Sequence, residues 1–189
     1  MGAVVLYGGA FDPPHVGHVA VADAARERFG VERLVILVSE RPGHRETHAS
    51  ADDRLALARA AFPRDDVRLD PYPRTIELLR AENFDDPVFV IGADQFAGFL
   101  AWAEPEAVLD LATLAVATRP GFPQEELEAV LHHLTRPERV VFLDIEPNPA
   151  ASTVIRSGSS PEDVPPAVAE LIEERGLYRP WLRATLENA

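Results

Sequence analysis

The sequence predicts an α/β domain with a doubly wound, mostly parallel sheet of about six strands and helices on both faces. Six short apolar runs are rich in β-branched residues, and most are continuous, as in strands buried on both faces of a sheet. Helical segments separate these runs, so that strand and helix repeat about every thirty residues as βαβ units. The length of 189 residues fits one domain, taken as residues 1–189.

The elements follow from local patterns. The predicted strands are residues 3–7, 34–38, 67–69, 88–91, 114–117 and 140–143. The predicted helices are residues 16–29, 52–61, 75–82, 105–111, 124–134 and 166–175. The first helix carries apolar residues at positions 16, 19, 20, 24 and 29, the second opens with two acidic residues, and the last ends before a glycine.

Composition excludes several classes of chemistry. The 31 acidic and 18 basic side chains give a net charge of −13, which argues against a general nucleic-acid binder but leaves room for one phosphate pocket. The chain has no cysteine, which excludes disulfides, thiolate nucleophiles and iron–sulfur clusters. All 18 basic residues are arginine, which excludes a lysine Schiff base and a Walker-type loop. Without a targeting signal or an apolar stretch of about 20 residues, we expect a cytoplasmic protein with no membrane partner.

The first strand-to-helix junction carries the densest set of candidate residues. Gly8 and Gly9 allow a tight turn and a close backbone approach to a ligand. His15 and His18 stand at the start of the following helix with Gly17 between them, where unpaired N–H groups favour a phosphate. Each piece alone has an ordinary structural explanation, but the combination indicates an anion site at a sheet edge where ligands bind.

Three later segments should reach the same edge. The fourth strand runs into Gly92-Ala93-Asp94, where Asp94 could contact sugar hydroxyls, hold Mg²⁺ or simply cap the next helix. Trp102 could either stack on an aromatic ligand or pack in the hydrophobic core. Near the end, Ser152 and Thr153 stand at a helix start, one turn before Arg156, a group suited to phosphate oxygens or to a surface.

These motifs resemble the nucleotidyltransferase superfamily with the His-x-Gly-His motif, and most closely the bacterial nicotinate-nucleotide adenylyltransferases. The resemblance runs in patches from residue 3 to residue 178 and implies a Rossmann-like nucleotidyltransferase fold. It assigns catalysis to His15, His18 and Arg156. It assigns ATP binding to Gly8, Gly9, Ala10, Phe11, His15, Gly17, His18, Ser152, Thr153 and Arg156. It assigns mononucleotide binding to His44, Arg45, Thr75, Gly92, Ala93, Asp94 and Trp102.

The resemblance implies adenylyl transfer from ATP to nicotinate mononucleotide in NAD biosynthesis, with Mg²⁺ accompanying ATP and Asp94 as its one candidate contact, through water. The chain departs from the family pattern at Ala10, Ala151 and Arg74. These departures leave two alternatives open: a different acceptor, such as nicotinamide mononucleotide or another superfamily substrate, and a catalytically weak nucleotide-binding paralogue. The sequence does not determine the oligomeric state.

Overall fold

Six parallel strands form one sheet in the computed structural model, which describes residues 4–43, 46–118, 122–146, 150–158 and 160–179. The strands are β1 (Val5–Gly9), β2 (Val35–Ser39), β3 (Asp66–Asp70), β4 (Val88–Gly92), β5 (Thr113–Thr118) and β6 (Val140–Asp144). Their spatial order is β3-β2-β1-β4-β5-β6, and every neighbouring pair is parallel. The predicted doubly wound α/β class is confirmed.

Eight helices connect or flank the strands in the described part of the chain. They are α1 (Val16–Phe29), α2 (Ala51–Ala61), α3 (Thr75–Glu82), α4 (Ala93–Ala97), α5 (Pro105–Leu111), α6 (Gln124–His133), α7 (Ser152–Arg156) and α8 (Pro166–Arg175). The six predicted helices lie within one residue of the observed bounds. The short helix α4 was not predicted, because five residues are too few to show a helical period.

The end of the first strand was predicted wrongly. The sequence places Gly8 and Gly9 in a turn after the strand, whereas in the structure both belong to β1 and pair with Leu37 and Val38 of β2. Parallel pairing carries the glycines to the last rung of the sheet, so the turn begins at Ala10. The glycine backbone therefore forms part of the sheet's carboxyl edge.

The core consists of two apolar layers, one on each face of the sheet. Successive strand residues point to opposite faces, so Val5 and Tyr7 of β1 pack in one layer and Leu6 in the other. Helices α1, α2, α7 and α8 cover the first face, and α3, α4, α5 and α6 cover the second. No helix in the described ranges combines the length and the apolar character that crossing a membrane requires.

The strand order reverses between β1 and β4. From β1 the chain runs outward to β2 and β3, then crosses back to β4 and continues to β5 and β6. The connections after β1 and after β4 therefore leave the sheet in opposite directions and open a crevice at its carboxyl edge, where ligands of such sheets bind.

We expect Ile91→Ala to lower the free energy of unfolding by about 2–5 kcal/mol, because Ile91 is fully buried in β4 and truncation leaves a cavity. Urea denaturation measures the change. Leu111→Ala, at an exposed leucine of α5, is the matched control and should cost about 1 kcal/mol or less. Equal losses in the two variants would contradict the proposed position of the core.

Candidate functional site

A cavity of about 1020 Å³ opens along the carboxyl edge of the sheet, and residues that follow each of the six strands line it. All predicted site residues that the structure describes lie in its wall: Gly8, Gly9, Ala10, Phe11, His15, Gly17, His18, Thr75, Gly92, Ala93, Asp94, Trp102, Ser152, Thr153 and Arg156. The predicted residues His44 and Arg45 lie outside the described part of the chain. The fold therefore brings together segments that are far apart in sequence.

The loop after β1 is held by the side chain of Asp12. This carboxylate is 4% exposed. It accepts hydrogen bonds from the backbone N–H groups of His48 at 2.7 Å and Ala49 at 3.1 Å, and from the Tyr178 hydroxyl at 2.6 Å. The peptide bond between Asp12 and Pro13 is cis. Asp12 thus shapes the turn, which is the structural role that an acid before two prolines indicates.

A buried arginine that the sequence analysis missed supports the same loop. Arg54 of α2 is 1% exposed. It donates to the carbonyl oxygens of Ala10 at 2.9 Å, Ser39 at 2.7 Å, Glu40 at 3.2 Å and Ala49 at 3.3 Å. Burial lowers the pKa of Arg54, and the negative charge of Asp12 opposes that shift. Its guanidinium therefore ties the loop after β1 to the end of β2.

Phe11 and Gly9 pack directly against each other inside the loop. Phe11 has a φ of 49°, in the left-handed region that bulky residues rarely adopt. Its ring contacts those of Tyr7, His18 and Phe62 at centroid distances of 5.5, 5.1 and 5.6 Å. A Cβ on Gly9 would lie 3.0 Å from the Phe11 ring, so glycine is needed there for the ring to fit beneath the loop.

His15 and His18 form a stacked pair at the start of α1. Their ring centroids lie 3.8 Å apart, and the His15 backbone N–H donates to His18 Nδ1 at 3.2 Å. Because Nδ1 of His18 accepts, Nε2 carries the proton of the neutral ring. The Nδ1 atom of His15 is buried without a hydrogen-bond partner in the described structure. Both rings line the cavity.

Burial lowers the pKa of His15 to about 4. The imidazole is therefore neutral at pH 7 in the free protein. Its ring N–H and the free N–H groups at the start of α1 present donors and a partial positive charge, rather than a full cation, to an incoming anion. A bound phosphate would favour the protonated ring and raise this pKa.

Helix α7 closes over the loop from the other side. Ser152 Oγ donates to the carbonyl oxygen of Pro13 at 2.9 Å. Arg156 donates through Nη1 to the carbonyl oxygen of Asp12 at 2.5 Å and through Nη2 to Thr153 Oγ1 at 3.3 Å. These groups were predicted to contact phosphates. In the structure they join α7 to the histidine loop, and their contact with a ligand stays a prediction.

The segment after β4 places Asp94 beside the histidine loop. The N-cap of α4 is Gly92, and Asp94 lies in the first turn, so the alternative that Asp94 caps this helix is wrong. A Cβ on Gly92 would approach Asp94 Oδ1 to 2.7 Å, so the carboxylate of Asp94 lies directly over the Gly92 backbone. Burial and, to a smaller extent, the charge of Asp94 raise the pKa of Tyr7 beneath the loop. Trp102 is half-buried and packs edge-on against Phe99 at 5.3 Å.

In the described residues, no group of three or more His, Asp or Glu side chains is arranged to hold a metal ion. Mg²⁺ commonly takes one or two carboxylates and completes its shell with substrate phosphates and water. The exposed carboxylate of Asp94 on the cavity wall fits that pattern as a single contact.

The sheet order and the crevice beside β1 define a doubly wound α/β protein whose ligand site lies at the carboxyl edge. A family model described as Cytidylyltransferase-like matches residues 6–158. The chain belongs to the cytidylyltransferase-like family.

Individual relatives agree with the motifs. A probable nicotinate-nucleotide adenylyltransferase of Rubrobacter xylanophilus is 32% identical over 96% of this chain and 94% of its own length. One from Thermus thermophilus is 35% identical over 92% of this chain and 98% of its own length. The resemblance inferred from the sequence is confirmed.

Solved structures agree with the fold. One described as Plasmodium falciparum nicotinic acid mononucleotide adenylyltransferase complexed with NaAD superposes with a TM-score of 0.74 at 15% identity, over 95% of this chain and 98% of that chain. The same enzyme complexed with APC gives a TM-score of 0.71 at 15% identity, with the same coverage. At this identity the likeness shows the fold alone.

The lowered pKa of His15 predicts a pH dependence of stability. As pH falls below about 6.5, the unfolded chain binds a proton at this histidine before the folded protein does, so folding becomes less favourable. With a folded pKa of about 4, we expect the loss from this residue between about pH 7.5 and pH 5 to be about 2 kcal/mol. The variant His15→Asn keeps a residue that can cap α1. Its free energy of unfolding, measured by urea titration, should not show this loss between about pH 7.5 and pH 5. Parallel pH profiles for the two proteins would refute the expectation.

The hydrogen bond from Tyr178 to Asp12 predicts a measurable coupling energy. We expect Tyr178→Phe to lower the free energy of unfolding by about 1.5–3 kcal/mol, because its acceptor is a buried carboxylate. A double-mutant cycle with Asp12→Asn separates this bond from the other contacts of Asp12. Additivity of the two substitutions to within about 0.5 kcal/mol would show that the bond contributes nothing.

Proposed function

We propose that this chain transfers the adenylyl group of ATP to nicotinate mononucleotide, forming nicotinate adenine dinucleotide and pyrophosphate, the reaction for which its relatives in NAD biosynthesis are named. The observation that carries this proposal is the His15–His18 pair at the start of α1. It faces a cavity of about 1020 Å³, which is at the upper end of small-molecule sites and is suited to two nucleotides side by side.

The reaction needs positioning more than covalent chemistry. A phosphate oxygen of the mononucleotide attacks the α-phosphorus of ATP in line. The bond from the α-phosphorus to the bridging oxygen then breaks, and pyrophosphate leaves with that oxygen. No bond to the protein forms, which agrees with a chain that has neither cysteine nor lysine. Such transfers depend on alignment of the two anions and on donors aimed at the oxygens that gain charge.

The donors for these oxygens come from the histidine loop and α7. His15 and His18 would contact the α- and β-phosphates from the N-terminus of α1. Arg156 and Ser152 would contact the β- and γ-phosphates, with the glycine backbone of β1 close to the nucleotide. In the free protein, Arg156 and Ser152 are held by the carbonyl oxygens of Asp12 and Pro13. Their donors are therefore already oriented around the loop that would receive the triphosphate.

Mg²⁺ fits this site as a companion of the triphosphate. Asp94 would hold it, directly or through water, and the remaining ligands would be phosphate oxygens and water. When bound, the ion supplies positive charge that offsets the charge of the triphosphate. Because burial keeps His15 neutral, this histidine brings no full positive charge to the phosphates, and the charge of Mg²⁺ would supply it.

The mononucleotide would occupy the wall formed after β3 and β4. Gly92, Ala93 and Asp94 would approach its sugar and phosphate, and Thr75 and Trp102 its pyridine ring. His44 and Arg45 remain predictions for its phosphate. A single domain over residues 1–189 and a cytoplasmic location likewise remain predictions.

Pyrophosphate release from ATP, Mg²⁺ and nicotinate mononucleotide tests the proposal, with nicotinamide mononucleotide assayed in parallel. We expect turnover with the acid and a loss of about 10²–10³-fold in kcat for His18→Ala, the usual effect of removing one donor to the reacting phosphates. His133→Ala, at an exposed histidine of α6 away from the cavity, is the matched control and should retain activity.

Other outcomes distinguish the alternatives. Turnover with the amide alone would keep the reaction and change the substrate. Binding of ATP without turnover on either mononucleotide would contradict adenylyl transfer and favour a nucleotide-binding paralogue. Alanines at positions 10 and 151 would then be the first residues to replace by serine.

A further inference from the structure

The wall of the cavity extends to both sides of β1, and we call the two sides its lobes. Neighbouring strands lie about 4.8 Å apart, and β3 is two strands from β1 on one side while β6 is three strands away on the other. The lobe beyond β3, here called the β3 lobe, is lined by Tyr72, Arg74, Thr75 and Trp102. The opposite lobe is lined by residues that follow β5 and β6, including Phe122 and Ile145.

Contacts between helices place Trp102 in the β3 lobe although it follows β4. Tyr72 and Trp102 pack against the same apolar cluster. Arg80 of α3 forms two hydrogen bonds with Glu104, two residues after Trp102, at 2.9 and 2.7 Å. These contacts hold α3 beside the segment that carries the tryptophan.

Arg74 is the cation at the start of α3 in this lobe, and Arg41, which follows β2, also lines the cavity. It occupies the N-cap position of α3, and its side chain is 64% exposed on the cavity wall. Its Nη1 atom lies 3.7 Å from Glu77 Oε1, beyond hydrogen-bond distance, and an exposed pair of this kind is weak. The hydrogen bond from Arg80 and, to a smaller extent, the charge of Arg74 lower the pKa of Glu104. The positive charge of Arg74 therefore acts on the carboxylate of Glu104, two residues after Trp102.

The acid at the end of β3, four residues before Arg74, is half-buried. Asp70, at the end of β3, accepts a hydrogen bond from the backbone N–H of Tyr72 at 3.0 Å. Burial raises the pKa of Asp70, which disfavours its charged form. Arg74 thus faces the cavity with a weak partner in Glu77, and the N-terminus of the eight-residue helix α3 adds partial positive charge beside it.

A planar aromatic carboxylate matches this arrangement. A guanidinium binds a carboxylate through two parallel N–H donors, and an indole stacks on an aromatic ring. A carboxamide carries no negative charge, and its NH₂ group would face the donors of Arg74. The two mononucleotides of pyridine differ only in this group. The opposite lobe is suited to the uncharged adenine, since the described residues that line it between β5 and α7 include Phe122 and Ile145 but no arginine.

We propose that Arg74 makes this chain select a mononucleotide with a ring carboxylate over its carboxamide counterpart. The proposal rests on the proposed function and assigns its specificity to a residue of the β3 lobe. Arg74 contacts the ring substituent and takes no part in the transfer of the adenylyl group. Its removal should therefore change the choice of substrate while leaving the use of ATP intact.

Steady-state pyrophosphate release with each mononucleotide tests this assignment in the full chain for the unmodified protein, Arg74→Gln, Arg74→Lys and Arg136→Gln. We expect Arg74→Gln to lower the ratio of kcat/KM for the acid over that for the amide about tenfold, the usual effect of one hydrogen bond to a charged group. The loss should fall on the acid alone, and the KM for ATP should stay within about twofold. Arg74→Lys should restore part of the ratio. Arg136→Gln removes the same charge at an exposed arginine outside the cavity and should leave the ratio unchanged.

The outcomes separate failure of the inference from failure of the proposed function. A ratio for Arg74→Gln within about twofold of the unmodified protein, an equal loss with both mononucleotides, or the same change in Arg136→Gln would overturn the role of Arg74 alone. Absence of pyrophosphate from the unmodified protein with both mononucleotides would overturn the proposed function and this inference with it.

Discussion

The buried carboxylate of Asp12 joins three parts of the chain that are remote in sequence: the loop after β1, the segment before α2, and Tyr178 in the segment after α8. Its acceptor sites take up two backbone N–H groups and the Tyr178 hydroxyl. A buried carboxylate is stable only when its charge is compensated by such donors. The histidine loop therefore keeps its shape only while these elements are packed together.

Arg54 completes this arrangement from the opposite side. Asp12 accepts hydrogen bonds, whereas Arg54 donates hydrogen bonds to carbonyl oxygens of the histidine loop, the end of β2 and the segment before α2. The two residues carry opposite charges, and each is bound mainly to backbone. Together they determine the path of the loop. Arg54 does not line the cavity, whereas Asp12 forms part of its wall.

Burial also determines the character of the histidine pair. The ring of His15 packs over that of His18 at the start of α1, and the low polarity around it favours the neutral imidazole. An acidic protein with a net charge of −13 thereby forms an anion site from N–H dipoles, one helix terminus and few full charges. Full positive charges lie at separate points of the cavity wall, including Arg156 at the histidine loop and Arg74 in the β3 lobe.

Much of the fold and most of the site residues could be predicted from the sequence, because they depend on local patterns. Continuous apolar runs identify buried parallel strands, and the topology of such sheets places the residues after each strand at one edge. Glycines, histidines and the Ser-Thr pair near strand ends could therefore be assigned to one cavity before their distances were known. The buried Arg54 of α2 was missed, because no local pattern identifies the carbonyl oxygens that it binds.

The tertiary structure alone decided what these residues contact. The bond between Tyr178 and Asp12 joins residues 166 positions apart, and no local pattern encodes such a pairing. The neutral state of His15 depends on how closely other elements surround its ring, and the contacts of Ser152 and Arg156 depend on where α7 lies relative to the loop. Hydrogen bonds and desolvation act over a few ångströms. They are determined only when segments distant in the chain have packed against one another.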